Sequence, residues 1–146
     1  MLVQPTIELP NVLRRALTAY RAGDCISVAE AFTSDATLVT QMDHKFARML
    51  GLAEERIAAS GALEIMQYYA AEFATFEITH LEVLSAMQSG RDIAAVCEWG
   101  VRQRTTNRQF LGRCHNIWSL DRSGRKLVAG HNVCKIVTPG WDHEMN

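Results

Sequence analysis

Apolar residues in VLRRALTAYRA, residues 12–22, recur at helical spacing, so that Val12, Ala16, Leu17 and Tyr20 share one face. Asn11 is placed to cap this helix and Gly23 to end it. Asp24 then caps a short helix through CISVAEAF, with Ile26, Ala29 and Phe32 on its stripe. The β-branched run ATLVTQM reads as a strand, and residues 43–58 as a helical or irregular excursion able to serve as a lid. From Gly61 a third helix follows, with Leu63, Met66 and Ala70 beside Ile65, Tyr69 and Phe73 on a broad apolar face.

Beyond that helix the pattern changes to strand-like runs: ITHLEVLSAM, IAAVCEWGVRQR, FLGRCHNIWSL and LVAGHNVCKIV. QSGRD, TTNR and DRSGRK separate them, and such turn residues predict antiparallel hairpins. Helices first and long strands after predict an α+β domain, its helices packed on one face of a curved sheet. The 146 residues suit one domain over the whole chain, 1–146.

Composition narrows the function classes. Fifteen Lys and Arg against sixteen Asp and Glu leave no charge excess to draw the chain to nucleic acid or an anionic membrane. Arg102, Arg104 and Arg108 lack stacking aromatics and read as a solvated hairpin. No apolar run approaches the length of a membrane span and the N-terminus has no secretory pattern, so a cytoplasmic protein is expected. Cys25, Cys97, Cys114 and Cys134 show no metal or redox spacing and are expected as reduced thiols.

The segments AYRAGD, FTSDATLV, ITHLEVL and WSLDRSGRKLV, in this order, resemble the nuclear transport factor 2-like superfamily, in its ketosteroid isomerase-like and polyketide cyclase-like (SnoaL-like) branch. The resemblance spans roughly residues 11–137. It implies a cystatin-like cone: three helices on a strongly curved, mostly antiparallel sheet that encloses an apolar pocket, in proteins that often dimerise through the outer sheet face. Matching AGD to the steroid isomerase pattern puts Ala16 and Thr40 where that enzyme has its oxyanion-hole Tyr and general-base Asp. Asn116 falls where it has a protonated Asp. Thr cannot serve as a carboxylate base and Ala donates no hydrogen bond, so that mechanism is not expected.

The echo of CHNI at 114–117 and HNVC at 131–134 bears on what lines the pocket. Opposite residues of a hairpin point to the same face, so turn position decides which residues meet. A last turn centred between Ser123 and Gly124 pairs Asn116 with His131, whereas one centred on Ser123 pairs His115 with His131. The first register puts Leu127 with Trp118 and Leu120 on the core face and is preferred. A preceding turn between Thr106 and Asn107 sets Cys97 opposite Asn116, giving an inner row of Cys97, Asn116 and His131. Adjacent residues diverge on regular strands, which rules out a four-ligand Cys and His site without a bulge, so no metal is expected.

In that arrangement His131 is the candidate acid or base and Asn116 its orienting or carbonyl-polarising partner; the alternatives are a neutral histidine held by Asn116 within the sheet and a histidine turned outward. Thr40, Tyr69, His80, Cys97, Trp99 and Trp118 are the candidate ligand-binding residues, Trp99 and Trp118 joining Tyr20 and Phe73 as stacking surfaces. Asp43 and His44 read as solvated loop residues, and Glu98 faces outward towards a dimer surface. The expectation is a cofactor-free isomerase, cyclase or dehydratase, or else a non-catalytic carrier or assembly module. Its partners would be a small apolar or aromatic-like molecule and a second copy of the chain.

Overall fold

The computed structural model describes residues 8–49 and 56–137. Helix α1 spans Asn11–Ala22, α2 Cys25–Glu30, strand β1 Phe32–Met42, α3 His44–Met49, β2 Arg56–Ser60 and α4 Ala62–Thr75. Strands β3 (Phe76–Ser89), β4 (Asp92–Gln103), β5 (Gln109–Leu120) and β6 (Leu127–Ile136) complete the described chain.

The corner between α1 and α2 follows from two residues. Gly23 takes the left-handed conformation (φ 71°) that stops α1, and its N–H donates to the Tyr20 carbonyl. Asp24 caps α2 by accepting the Ser27 backbone N–H at 3.1 Å. Asn11 does not cap α1 as expected: it is the first helical residue, behind a Pro10 whose fixed φ suits that entry.

The strands form one sheet in the order β2-β1-β6-β5-β4-β3, antiparallel throughout except where β1 meets β6. Helix α4 lies across β1, β2 and β3 and buries Ile65, Tyr69 and Phe73. The expected apolar face is wrong at Leu63 and Ala70, which point to solvent, as does Ile26 of α2. Within the expected excursion, α3 and β2 are regular elements, and β2 pairs with β1; residues 50–55, the rest of the expected lid, lie outside the described residues. Irregularities in the β3–β4 and β5–β6 ladders bend the sheet over the helices, which completes an α+β cone.

Both expected hairpin registers differ from the observed ones, with different consequences. In β4–β5, Cys97 lies opposite Cys114 and Ala95 opposite Asn116, two residues from expectation. A slip of two preserves faces, so Cys97 and Trp99 still point inward. In β5–β6 the pairing agrees at Leu120 with Leu127, but Ser119 pairs with Ala129, leaving Val128 as an extra residue. That bulge moves every later pair by one: Asn116 meets Asn132, and Ile117 meets His131. A slip of one exchanges faces, so Asn132 and Cys134 enter the inner wall and His131 leaves it.

Candidate functional site

A cavity of about 420 Å³ lies between the helices and the inner face of the sheet. Of the expected residues, Thr40, Tyr69, Cys97, Trp99, Asn116 and Trp118 line it; His80 and His131 do not. His131 is exposed on the outer face, its Nε2 2.9 Å from Gln41 Oε1, and the expected His131–Asn116 pair is therefore absent. His80 also faces outward, with Nε2 3.2 Å from Glu98 Oε1, and Glu98 faces outward as expected. Asp43 and His44 are exposed.

The cavity gathers two polar groups instead. Asn116 Nδ2 donates to Asn132 Oδ1 at 2.6 Å, and Asn132 Nδ2 donates to Thr40 Oγ1 at 3.3 Å. The Tyr68 hydroxyl of α4 donates to the same Thr40 oxygen at 3.3 Å. Three strands and a helix are thus tied across the pocket, while Asn116 Oδ1 is buried without a hydrogen-bond partner.

The second group centres on Glu72, which the sequence reading passed over. Positions 65, 69, 72 and 73 fall on one helical face, so the carboxylate is carried inward beside Tyr69 and Phe73. The residue as a whole is half-buried, but its Oε2 is shielded and unpartnered. Tyr20 of α1 donates its hydroxyl to Oε1 at 3.3 Å. Burial pushes the Glu72 carboxyl up from 4.5 to about 7, a rise the Tyr20 hydrogen bond only partly opposes. Burial, with Glu72 beside it, raises the Tyr20 hydroxyl well above its ordinary value. Tyr20, Tyr68, Tyr69 and Phe73 meet edge-on or stacked, with ring centroids 5.0–5.9 Å apart.

The cysteines require a correction. Cys114 and Cys134 lie directly opposite on the inner wall, Cα atoms 4.2 Å apart, and form a disulfide, where reduced thiols were expected. Such bonds persist in oxidising compartments and are rare in the cytosol. Among the described residues, no helix is long and apolar enough to cross a membrane. Cys25 and Cys97 are free, and burial raises the Cys97 thiol to about 11, against the nearby charge of Arg21. Little of it is thiolate at neutral pH, so it is a wall rather than a nucleophile.

For a metal ion, His80, Glu82 and Glu98 bring one ligand atom each within 4.8 Å of one another. They stand on the outer face, away from the cavity, and Arg113 already lies 3.9 Å from Glu98.

No protein-family model matches the chain, and no curated protein matches it. Solved structures do. A hypothetical protein with a ketosteroid isomerase-like fold from Catenulispora acidiphila, crystallised in complex with trimethylamine, is 13% identical, with TM-score 0.69 over 86% of this chain and 85% of its own. A ketosteroid isomerase-like protein from Erwinia carotovora is 16% identical, with TM-score 0.59 over 88% and 92%. A nuclear transport factor 2-like protein of unknown function from Burkholderia pseudomallei is 15% identical, with TM-score 0.60 over 83% and 86%. With its sheet order and helix-backed cavity, the chain has the nuclear transport factor 2-like cone fold that the ketosteroid isomerase-like proteins share.

Proposed function

We propose that the chain binds a small, largely apolar molecule in the cavity, with Glu72 meeting its polar end. The observation that carries this reading is a shielded carboxylate oxygen without a partner on the wall of a mostly apolar and aromatic cavity of about 420 Å³. A group of that kind is costly to fold unless something polar reaches it. The trimethylamine complex of the Catenulispora protein supports a small-molecule role for a cone of this kind.

Ala16 is buried and faces the cavity, so Ala16→Phe tests the reading by filling it. A neutral, naphthalene-sized solvatochromic dye should bind the wild type and not the variant. Equal binding by both would place the dye elsewhere and refute the pocket.

One observation favours a second reading, cofactor-independent proton transfer of the isomerase, cyclase or dehydratase type. Glu72, held at about 7, is poised to exchange a proton near neutrality, a role the outward His131 does not fill. Turnover would then rise with pH through about 7 and vanish in Glu72→Gln. Dimerisation through the outer face belongs to the same proposal: Ile117 and Val133, 51% and 44% exposed, are diagonal neighbours there. Light scattering should give a dimer that Ile117→Glu converts to monomer.

A further inference from the structure

The cavity's electrostatics narrow the ligand class. Among the described residues that line the cavity, Glu72 is the one with an ionisable acidic or basic side chain of the Asp, Glu, Lys, Arg or His type. Among the described residues, no Lys, Arg or His lies within ion-pair distance of it. Arg21, the cation that influences nearby Cys97, directs its guanidinium to the Leu81 carbonyl at 3.1 and 3.2 Å. Among the described residues, the neutral partner of Glu72 is one hydroxyl, that of Tyr20, on Oε1. A buried carboxylate normally has a positive partner or several donors. Here both are missing on the Oε2 side.

Asn116 Oδ1, the other unpartnered oxygen of the wall, is also an acceptor. The rings of Tyr20, Tyr68, Tyr69 and Trp99 line the same cavity. Aromatic faces attract cations, most strongly where water is excluded. A carboxylate ligand would meet repulsion from Glu72, and a neutral hydrocarbon would leave Oε2 unpaired.

We propose that the pocket selects a protonated amine carried on an apolar or aromatic group, its N–H donating to the Glu72 carboxylate and its cationic head lying against the tyrosine rings. This rests on the pocket-binding reading above and deepens it. Such a ligand holds Glu72 ionised, so Glu72 acts as counter-ion rather than as proton shuttle. Amine selectivity would therefore favour the binding reading over proton transfer.

The test uses the full chain and three probes of similar size: N,N-dimethylbenzylamine, its carbon isostere isobutylbenzene, and phenylacetate. Affinities are measured by ligand-observed NMR at about pH 8, where the amine is protonated and Glu72 largely ionised. The amine should bind at least about tenfold tighter than isobutylbenzene, and phenylacetate weakest. Glu72→Gln should cut the amine's preference over isobutylbenzene by at least about tenfold, and a cooperative urea transition shows that the variant is folded. In the wild type the preference should fade as pH drops to about 5 and Glu72 takes its proton. Tyr20, Tyr68, Tyr69 and Cys97, the other titratable groups facing it, are all pushed upward and stay protonated across that range. Equal binding of amine and isobutylbenzene by the wild type overturns the amine class and leaves the pocket reading standing. A preference for phenylacetate also overturns it, and failure of all three probes to bind defeats both readings together.

Discussion

Replacing Glu72 with Gln removes one titration from the pocket while nearly keeping its shape. Burial raises this carboxyl from 4.5 to about 7, and the Tyr20 hydroxyl pulls weakly the other way. Between those values the folded chain keeps a proton that the unfolded chain has released. Stability is therefore full below about pH 4.5, falls as pH rises towards about 7, and levels off above it. Each tenfold change in proton affinity is worth about 1.4 kcal/mol, so the complete fall attributable to Glu72 is about 3 kcal/mol. Gln does not ionise. The stability difference between variant and wild type should thus move by about 3 kcal/mol in favour of Gln from about pH 4 to about pH 8. Any constant offset from the new amide cancels in that comparison. Urea unfolding at a series of pH values reads it directly, with the m-value serving as a control on the denatured state. Parallel stability curves for the two proteins would show that Glu72 ionises as freely as in water, and the arguments built on its buried oxygen would fall.

Other consequences follow from individual side chains. A methyl at Gly112 would sit 2.3 Å from Trp99 Cζ2 and 2.4 Å from the Lys135 carbonyl, so Gly112→Ala should cost about 3 kcal/mol in urea unfolding and abolish dye binding by displacing Trp99. Under denaturing, non-reducing conditions two of the four cysteines should react with a thiol reagent, and all four after reduction. Losing the Cys114–Cys134 link, which closes a loop across 20 positions, should lower stability by about 3 kcal/mol. His131→Ala should change stability by no more than about 0.5 kcal/mol and leave dye binding intact, since its ring is on the outer face. Asn132→Leu should cost about 1–3 kcal/mol, because it strips Asn116 of its acceptor and Thr40 of a donor inside the pocket.

Local signals were legible in the sequence because each involves few residues. The Gly23–Asp24 stop and cap, the long β3–β6 strands and the inward Trp99 and Trp118 need only a backbone conformation or a two-residue alternation. Glu72 was also within reach. Counting the α4 stripe past Tyr69 places position 72 beside Phe73, and an acidic residue on an apolar stripe is the informative exception to hydrophobic burial. A stripe counted by its apolar members alone passes over Glu72 and also puts Leu63 inside, whereas Leu63 is 65% exposed.

The placement of His131 depended on something no local rule supplies. Up to Leu120 and Leu127 the hairpin follows the expected register; a single unpaired residue, Val128, then decides which half of each His-Asn echo enters the pocket. The bulge has an identifiable structural setting. The Leu127 N–H donates to the Ala31 carbonyl at 2.8 Å and Leu127 is 1% exposed, while Leu38 of β1 pairs in parallel with Gly130. Keeping both Leu127 and Gly130, three positions apart, on the inner face requires one residue more than strict alternation allows, and Val128 is that residue. The parallel β1–β6 pairing joins segments 92 positions apart at Thr40 and Asn132, so the constraint that selects Asn132 over His131 is tertiary. The same displacement brings Cys134 inward to meet Cys114. One inserted residue therefore accounts for the asparagine pair, the disulfide and the exclusion of the histidine; deleting Val128 itself should leave all three in place, because Ala129 then follows Leu127 in regular alternation opposite Ser119.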